Sequence, residues 1–342
     1  MGVWYSHAPL CHTLNSALMK KSIKGWYRHI SLLLIGIVLF CTQLSAQTDM
    51  DAIMMSKNNF CTGLMYSHSQ WTNYWEGTLK RNNDNLGTVS TNMYAVMGNY
   101  GVSDKLNLLF GLPYVQTKAS AGTLHGLNGL QDLSLWAKWM PVETKWGKGT
   151  ISVYGLGGVS FPTSNYTPDF LPMSIGLHST NLSLRAILDY QVGNFFATVS
   201  GTYVVRNNIT IDRNSYYTTE LHNTNEVSMP DMSNYQLRTG WRSSKLIAEL
   251  ILNQANTLGG FDITRNNMPF PSNKMNASTA GVNIKYEVQK VAGLSLIGGG
   301  SITLAGRNMG QASSISGGIF YILDFSKKVK KTAVSTSSSK AN

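Results

Sequence analysis

The tightest constraint on this chain is an alternation with period two that never lengthens into a long apolar run. Between Tyr94 and Trp139 it appears three times: Tyr94, Val96, Gly98, Tyr100 and Val102; then Leu106, Leu108, Phe110, Leu112 and Tyr114; then Leu133, Leu135, Ala137 and Trp139. Such spacing puts two different sets of side chains on the two faces of a strand. After the first 46 residues nothing reaches the ~18 consecutive apolar residues that a membrane helix needs. A four-residue turn, Val102 to Lys105, joins the first two runs, and a Gly-rich loop joins the second and third. Short turn alternating with long loop is the rhythm of a transmembrane β-barrel.

Composition points the same way. Charged residues make up only 13% of the chain, where about 25% is usual for a soluble domain. Gly (32), Tyr (16) and Trp (8) are plentiful, which suits a wall with one lipid face and one wet face. The net charge of +11 overstates how basic the protein is. Lys20, Lys21, Lys24 and Arg28 lie in a leader and five lysines follow Phe325, so without those nine only +2 remains. No basic patch or nucleic-acid module accompanies them, and no nucleic-acid partner is expected. Of Cys11, Cys41 and Cys61, only Cys61 would survive removal of the leader. That excludes an intrachain disulfide or a thiolate metal site, and no metal or other cofactor is expected.

Residues 1–46 read as an upstream stretch plus a signal peptide starting at Met19: a positive region, an apolar core from Ile30 to Cys41, and cleavage after Ala46. A retained anchor is the alternative. Residues 47–60 form a short periplasmic segment expected to tuck into the barrel, 61–325 the barrel, and 326–342 a disordered Lys/Ser-rich tail. The expected fold is all-β, an antiparallel up-and-down barrel of about twelve strands. The first strand is placed at about 61–78 with a bulge near Trp71, and the fourth at about 130–140. Connections after even strands are short and most after odd strands are long, which sets both termini on the periplasmic side of a Gram-negative outer membrane.

Aromatic residues test that topology. Tyr100, Trp139, Tyr190, Phe195, Trp241, Tyr286 and Phe325 fall at periplasmic strand ends, and Tyr114, Phe161, Tyr203 and Tyr235 at outer ends, all on the apolar parity. Two girdles at the lipid–water interfaces explain that sorting; a soluble β-sandwich, the rival fold, does not. Opposite parity gives the inward face. It carries Asp132, Lys138, Arg185, Asp189, Arg238 and Glu249 as candidate constriction residues. The competing reading is a satisfied salt-bridge network that fills a narrow barrel. Arg185 and Asp189, two residues either side of Ile187, are placed where neighbouring strands can pair them across the lumen.

The run GNYGVSDKLNL, followed by FGLPYV, a Gly-rich loop and GLQDLSLWAKW, resembles the outer-membrane barrel family named for the MetA pathway of phenol degradation, whose members are described as transporters. The resemblance covers about 50 residues, and elsewhere only the strand rhythm agrees. It implies a transport role and, through the family's name, a hydrophobic or aromatic solute. The resulting expectation is passive transport of a small solute through a narrow lumen, with outer-membrane lipid and the barrel-assembly machinery as partners. A structural or surface-binding barrel with a closed lumen is the alternative. An enzymatic barrel would need a Ser activated by His, and no nucleophile motif surrounds His68, so none is expected.

Overall fold

A computed structural model describes residues 48–265 and 267–326. The leader and most of the Lys-rich tail therefore lie outside the described residues. Twelve long strands make up the wall: β1 (Asn59–Trp71), β2 (Val89–Ser103), β3 (Leu106–Ala119), β4 (Asp132–Trp146), β5 (Gly149–Pro162), β6 (Asn181–Val192), β7 (Phe195–Arg206), β8 (Met232–Arg242), β9 (Leu246–Thr257), β10 (Asn276–Glu287), β11 (Leu294–Arg307) and β12 (Ser313–Asp324). Each pairs antiparallel with its neighbour in sequence, and β1 pairs with β12, which closes the sheet. Closure leaves no strand edge with unpaired amides and carbonyls, the condition for crossing hydrocarbon with strands.

Parity decides what each face carries. Leu64, Val96, Leu108, Leu184, Leu237, Val282 and Ile319 all point outward and are exposed. A soluble protein rarely shows so continuous an apolar surface; a bilayer would cover it. Every girdle candidate is on this outward face, either exposed or half-buried.

Two strand boundaries differ from expectation. β1 has no bulge and keeps register with β12 as far as Gln70 and with β2 as far as its end at Trp71. The residues beyond it, Asn73–Glu76 and Leu79–Asn82, form a separate hairpin. β4 does not stop near residue 140. Its register shifts between Trp139 and Val142 and it then continues to Trp146, paired with β5. The turn shrinks to Gly147 and Lys148, where Gly147 takes a positive φ of 61° that suits a tight hairpin. Trp139 therefore sits seven residues inside its strand, and Trp146 is the outward aromatic at the tip, its ring 5.7 Å from that of Tyr190.

Connections at one end are short (104–105, 147–148, 193–194, 243–245, 288–293) and most at the other are long (72–88, 120–131, 163–180, 207–231, 258–275), with 308–312 the exception.

Candidate lumen site

The chain ahead of β1 doubles back into the barrel. Asn58 takes a positive φ of 62°, a conformation asparagine tolerates better than most residues. Its amide donates to Gly101 O at 2.8 Å. Gly101 is what lets the segment lie so close: a Cβ there would stand 2.1 Å from Ser56 O. Met55 is fully buried against Cys61, Phe320 and Ile322. The Asn107 amide donates to Met55 O at 3.1 Å and accepts from Met55 N at 2.7 Å. Farther along, Ala52 packs with Met140, Tyr154, Leu156 and Ile187, and the Tyr154 hydroxyl donates to Ala52 O at 2.9 Å.

Ion pairs hold the rest of the segment. Lys138 Nζ is wholly buried and donates to Asp51 Oδ1 (3.0 Å), Asp51 O (2.6 Å), Ile53 O (2.9 Å) and Thr48 O (3.2 Å). Arg185 donates to Asp49 O (2.8 Å), Asp49 Oδ2 (3.0 Å) and Thr202 Oγ1 (2.8 Å). Its guanidinium lies 4.7 Å from the Trp136 ring. Trp136 in turn lies over Gly158, where a Cβ would come within 2.4 Å of the indole. One of the mid-strand glycines thus makes room for the aromatic plate that carries Arg185. Burial works against ionisation of Asp51, but the Lys138 ammonium, the Thr48 amide and Arg238 outweigh it and hold the carboxyl below its ordinary value.

Three further inward cations pair within the wall. Arg238 donates to both Glu249 oxygens, through Nε at 3.1 Å and through a second, shorter contact, while Asn283 Nδ2 donates to Glu249 Oε1 at 3.0 Å. Arg242 donates to Asp189 Oδ2 (3.0 Å) and Gln191 Oε1 (3.2 Å), stacks 3.9 Å from the Phe196 ring, and shares Asp189 with the Thr198 hydroxyl. Lys285 meets Glu287 at 2.9 Å. On the short-turn side of the segment a pocket of about 520 Å³ is lined by Ala52, Glu143, Lys148, Tyr154, Asp189 and Arg242.

The long-loop mouth is covered in another way. From the 163–180 loop, Tyr166 and Ile175 pack on Val115, and Met173 packs on Leu86 and Val89. Val89 and Val115 belong to the inward parity, so this loop folds into the mouth. Thr117 Oγ1 donates to Met173 O at 2.7 Å. Tyr166 donates to Asp132 Oδ1 at 2.5 Å and accepts from His178 N at 3.0 Å. The 207–231 loop has its own core of Ile209, Ile211, Tyr216, Val227 and Met229, joined by Leu177 and Phe270 from the two neighbouring loops.

Five of the six inward candidates, Lys138, Arg185, Asp189, Arg238 and Glu249, are thus each ion-paired in the lumen; Asp132 stands apart at the mouth. Arg185 and Asp189 do not pair. Their cross-strand neighbours are Thr202 and Thr198, and each finds its counterion elsewhere, in Asp49 and Arg242. Sequence reasoning did not single out Trp136, Tyr154, Asp49 or Asp51. The one available signal was two aspartates spaced by two in the short polar stretch after the leader. His68 pairs with Asn92 at 2.8 Å on the outward face of β1, whereas Ser67 and Ser69 have the opposite parity.

No family model matches the chain, and no curated protein is similar to it in sequence. Solved structures are similar in fold. The COG4313 outer membrane channel from Pseudomonas putida F1 superposes with a TM-score of 0.65 at 14% identity, covering 82% of this chain and 100% of that one. The translocator domain of the autotransporter NalP from Neisseria meningitidis (TM-score 0.43, 12% identity, 90% and 97% covered) and a Pseudomonas aeruginosa FadL homologue (0.35, 11%, 80% and 91%) are more distant. The chain has the fold of an outer-membrane β-barrel, with twelve strands.

Proposed function

We propose that the protein is an outer-membrane channel for passive movement of a small solute, with its short turns in the periplasm and its long loops outside. What carries this reading is the lumen. A wall built only to be stable would fill its interior with its own side chains. Here the centre is filled by residues 48–56, which run covalently into the wall at β1 and contribute no strand to it. Withdrawing them would leave the ladder of twelve strands intact and empty the passage. The solute expected is small, with a polar head; the aromatic body suggested by the likeness to the phenol-degradation family would lie against Trp136 and Tyr154. The charged network acts as the selective constriction.

The closed-lumen alternative, a structural or surface-binding barrel, draws support from the apolar packing of the 163–180 loop over the mouth. Conductance in planar bilayers separates the two. The intact protein should open rarely, and deletion of residues 48–56 should raise conductance severalfold. A silent deletion variant that still shows the heat-dependent gel shift of a folded barrel would favour the closed barrel.

A further inference from the structure

We infer that Lys138 and Arg185 form a binding site for small organic carboxylates, which the protein occupies with its own Asp49 and Asp51 until a solute displaces them. This rests on the channel reading for its purpose, though not for its chemistry. The inference starts from a charge imbalance in the wall. Arg238 is matched by Glu249, Arg242 by Asp189 and Lys285 by Glu287, each pair made within the wall. Lys138 and Arg185 differ. Among the described residues their ion-pair partners are Asp51 and Asp49, both supplied by the segment. Without the segment, two buried cations would face the lumen with no carboxylate of the wall to meet them.

What the segment offers these cations is also what a small carboxylate offers. Arg185 donates from Nη1 to both a carboxylate oxygen and a carbonyl oxygen of Asp49. Lys138 receives one carboxylate oxygen and three carbonyls. Guanidinium and carboxylate match in geometry, and their hydrogen bonds are about twice as strong as neutral ones. Trp136 and Tyr154 border the two cations, at 4.7 Å and 5.5 Å from ring centre to charge, and would give an aromatic or aliphatic body a surface to lie on. A neutral solute lacks the charge to replace Asp49 and Asp51, because leaving either cation unpaired in a buried site is costly. Charge therefore decides both which solute is admitted and whether the segment leaves.

Asp49→Asn/Asp51→Asn in the full mature chain tests this, with benzoate as probe and benzamide as its neutral match. Binding is read from Trp fluorescence in detergent, and flux from bilayer conductance and liposome uptake. Neither substitution touches a strand, and the heat-dependent gel shift reports the barrel. The double variant should bind benzoate on the order of tenfold more tightly than the intact protein, the factor one charge-assisted hydrogen bond supplies. Benzamide should bind neither form, and adding Arg185→Gln should abolish benzoate binding; Lys138→Gln serves the same purpose if that variant does not refold. Benzoate binding no tighter than benzamide binding, or no tighter than in the intact protein, would overturn the site even if the pore conducts. Benzoate binding without flux would uphold the site and sink the channel instead.

Discussion

The lumen is narrowed at both ends, and two different kinds of interaction do it. Residues 48–58 are tied down by Lys138, Arg185 and carbonyl groups, with Met55 and Ala52 as the main apolar anchors. The 163–180 loop is held mainly by Tyr166, Met173 and Ile175 buried against Val89 and Val115. Ionic contacts can be traded for a dissolved ion of like charge, since the cation left behind is paired again. A dissolved ion offers apolar contacts nothing in exchange; releasing them exposes surface to water at ~25 cal/mol per Å². The segment is therefore the exchangeable closure and the loop a fixed narrowing of the mouth.

The largest expected effect comes from breaking the ionic side. Asp51→Ala leaves the fully buried Lys138 ammonium without its carboxylate. Removing one partner of a buried pair costs about 3–5 kcal/mol, and hydration of Lys138 once the segment departs holds the cost to the lower end. Hydrogen exchange at amides 48–56 should accelerate by about a hundredfold, while amides 163–180 keep their protection. Gly101→Leu should give the same pattern by steric means, because its side chain would enter the space of Ser56 O. The reciprocal experiment is Met173→Ala. Emptying this fully buried site costs about 2–5 kcal/mol. Its effect should be confined to residues 163–180, with the segment still protected. If either variant loosened both regions equally, the two closures would be one cooperative unit.

The barrel was legible because parity is a local property: each alternating run states its own two faces. Where parity slips locally, the reading failed. The shift between Trp139 and Val142 made the fourth strand look finished, hiding Trp146 at its tip. The first strand failed the opposite way, because the hairpin after Trp71 continues strand-like residues in a separate ribbon. For the lumen, parity showed which charges point inward and not which of them meet. Arg185 reaches Asp49 across 136 residues and Lys138 reaches Asp51 across 87. Nothing local in sequence encodes those pairings.

A smaller effect is expected at the hydrogen bond that joins the loop to the wall. Tyr166→Phe removes the donor to Asp132 Oδ1 and should cost about 1–2 kcal/mol, seen as a modest rise in exchange near residues 166–178 with the fold intact.

The mildest test uses pH alone, and the two closures should respond at opposite ends of the scale. Asp51 in the docked segment titrates below its ordinary value of 3.8. Its ionised form therefore favours docking, in full above that ordinary value, and the contribution fades as pH falls through the lowered one. Tyr166 shifts the other way: burial first, then its bond to Asp132, raise the phenol above its ordinary 10.0. Its contribution is complete below pH 10 and fades only as pH rises through the raised value. Acid should release residues 48–56, and strong alkali should loosen 163–180. Asp51→Asn should remove the acid response and leave the alkaline one untouched. An acid response that persisted in that variant would mean that some group other than the Asp51 carboxylate holds the segment in place.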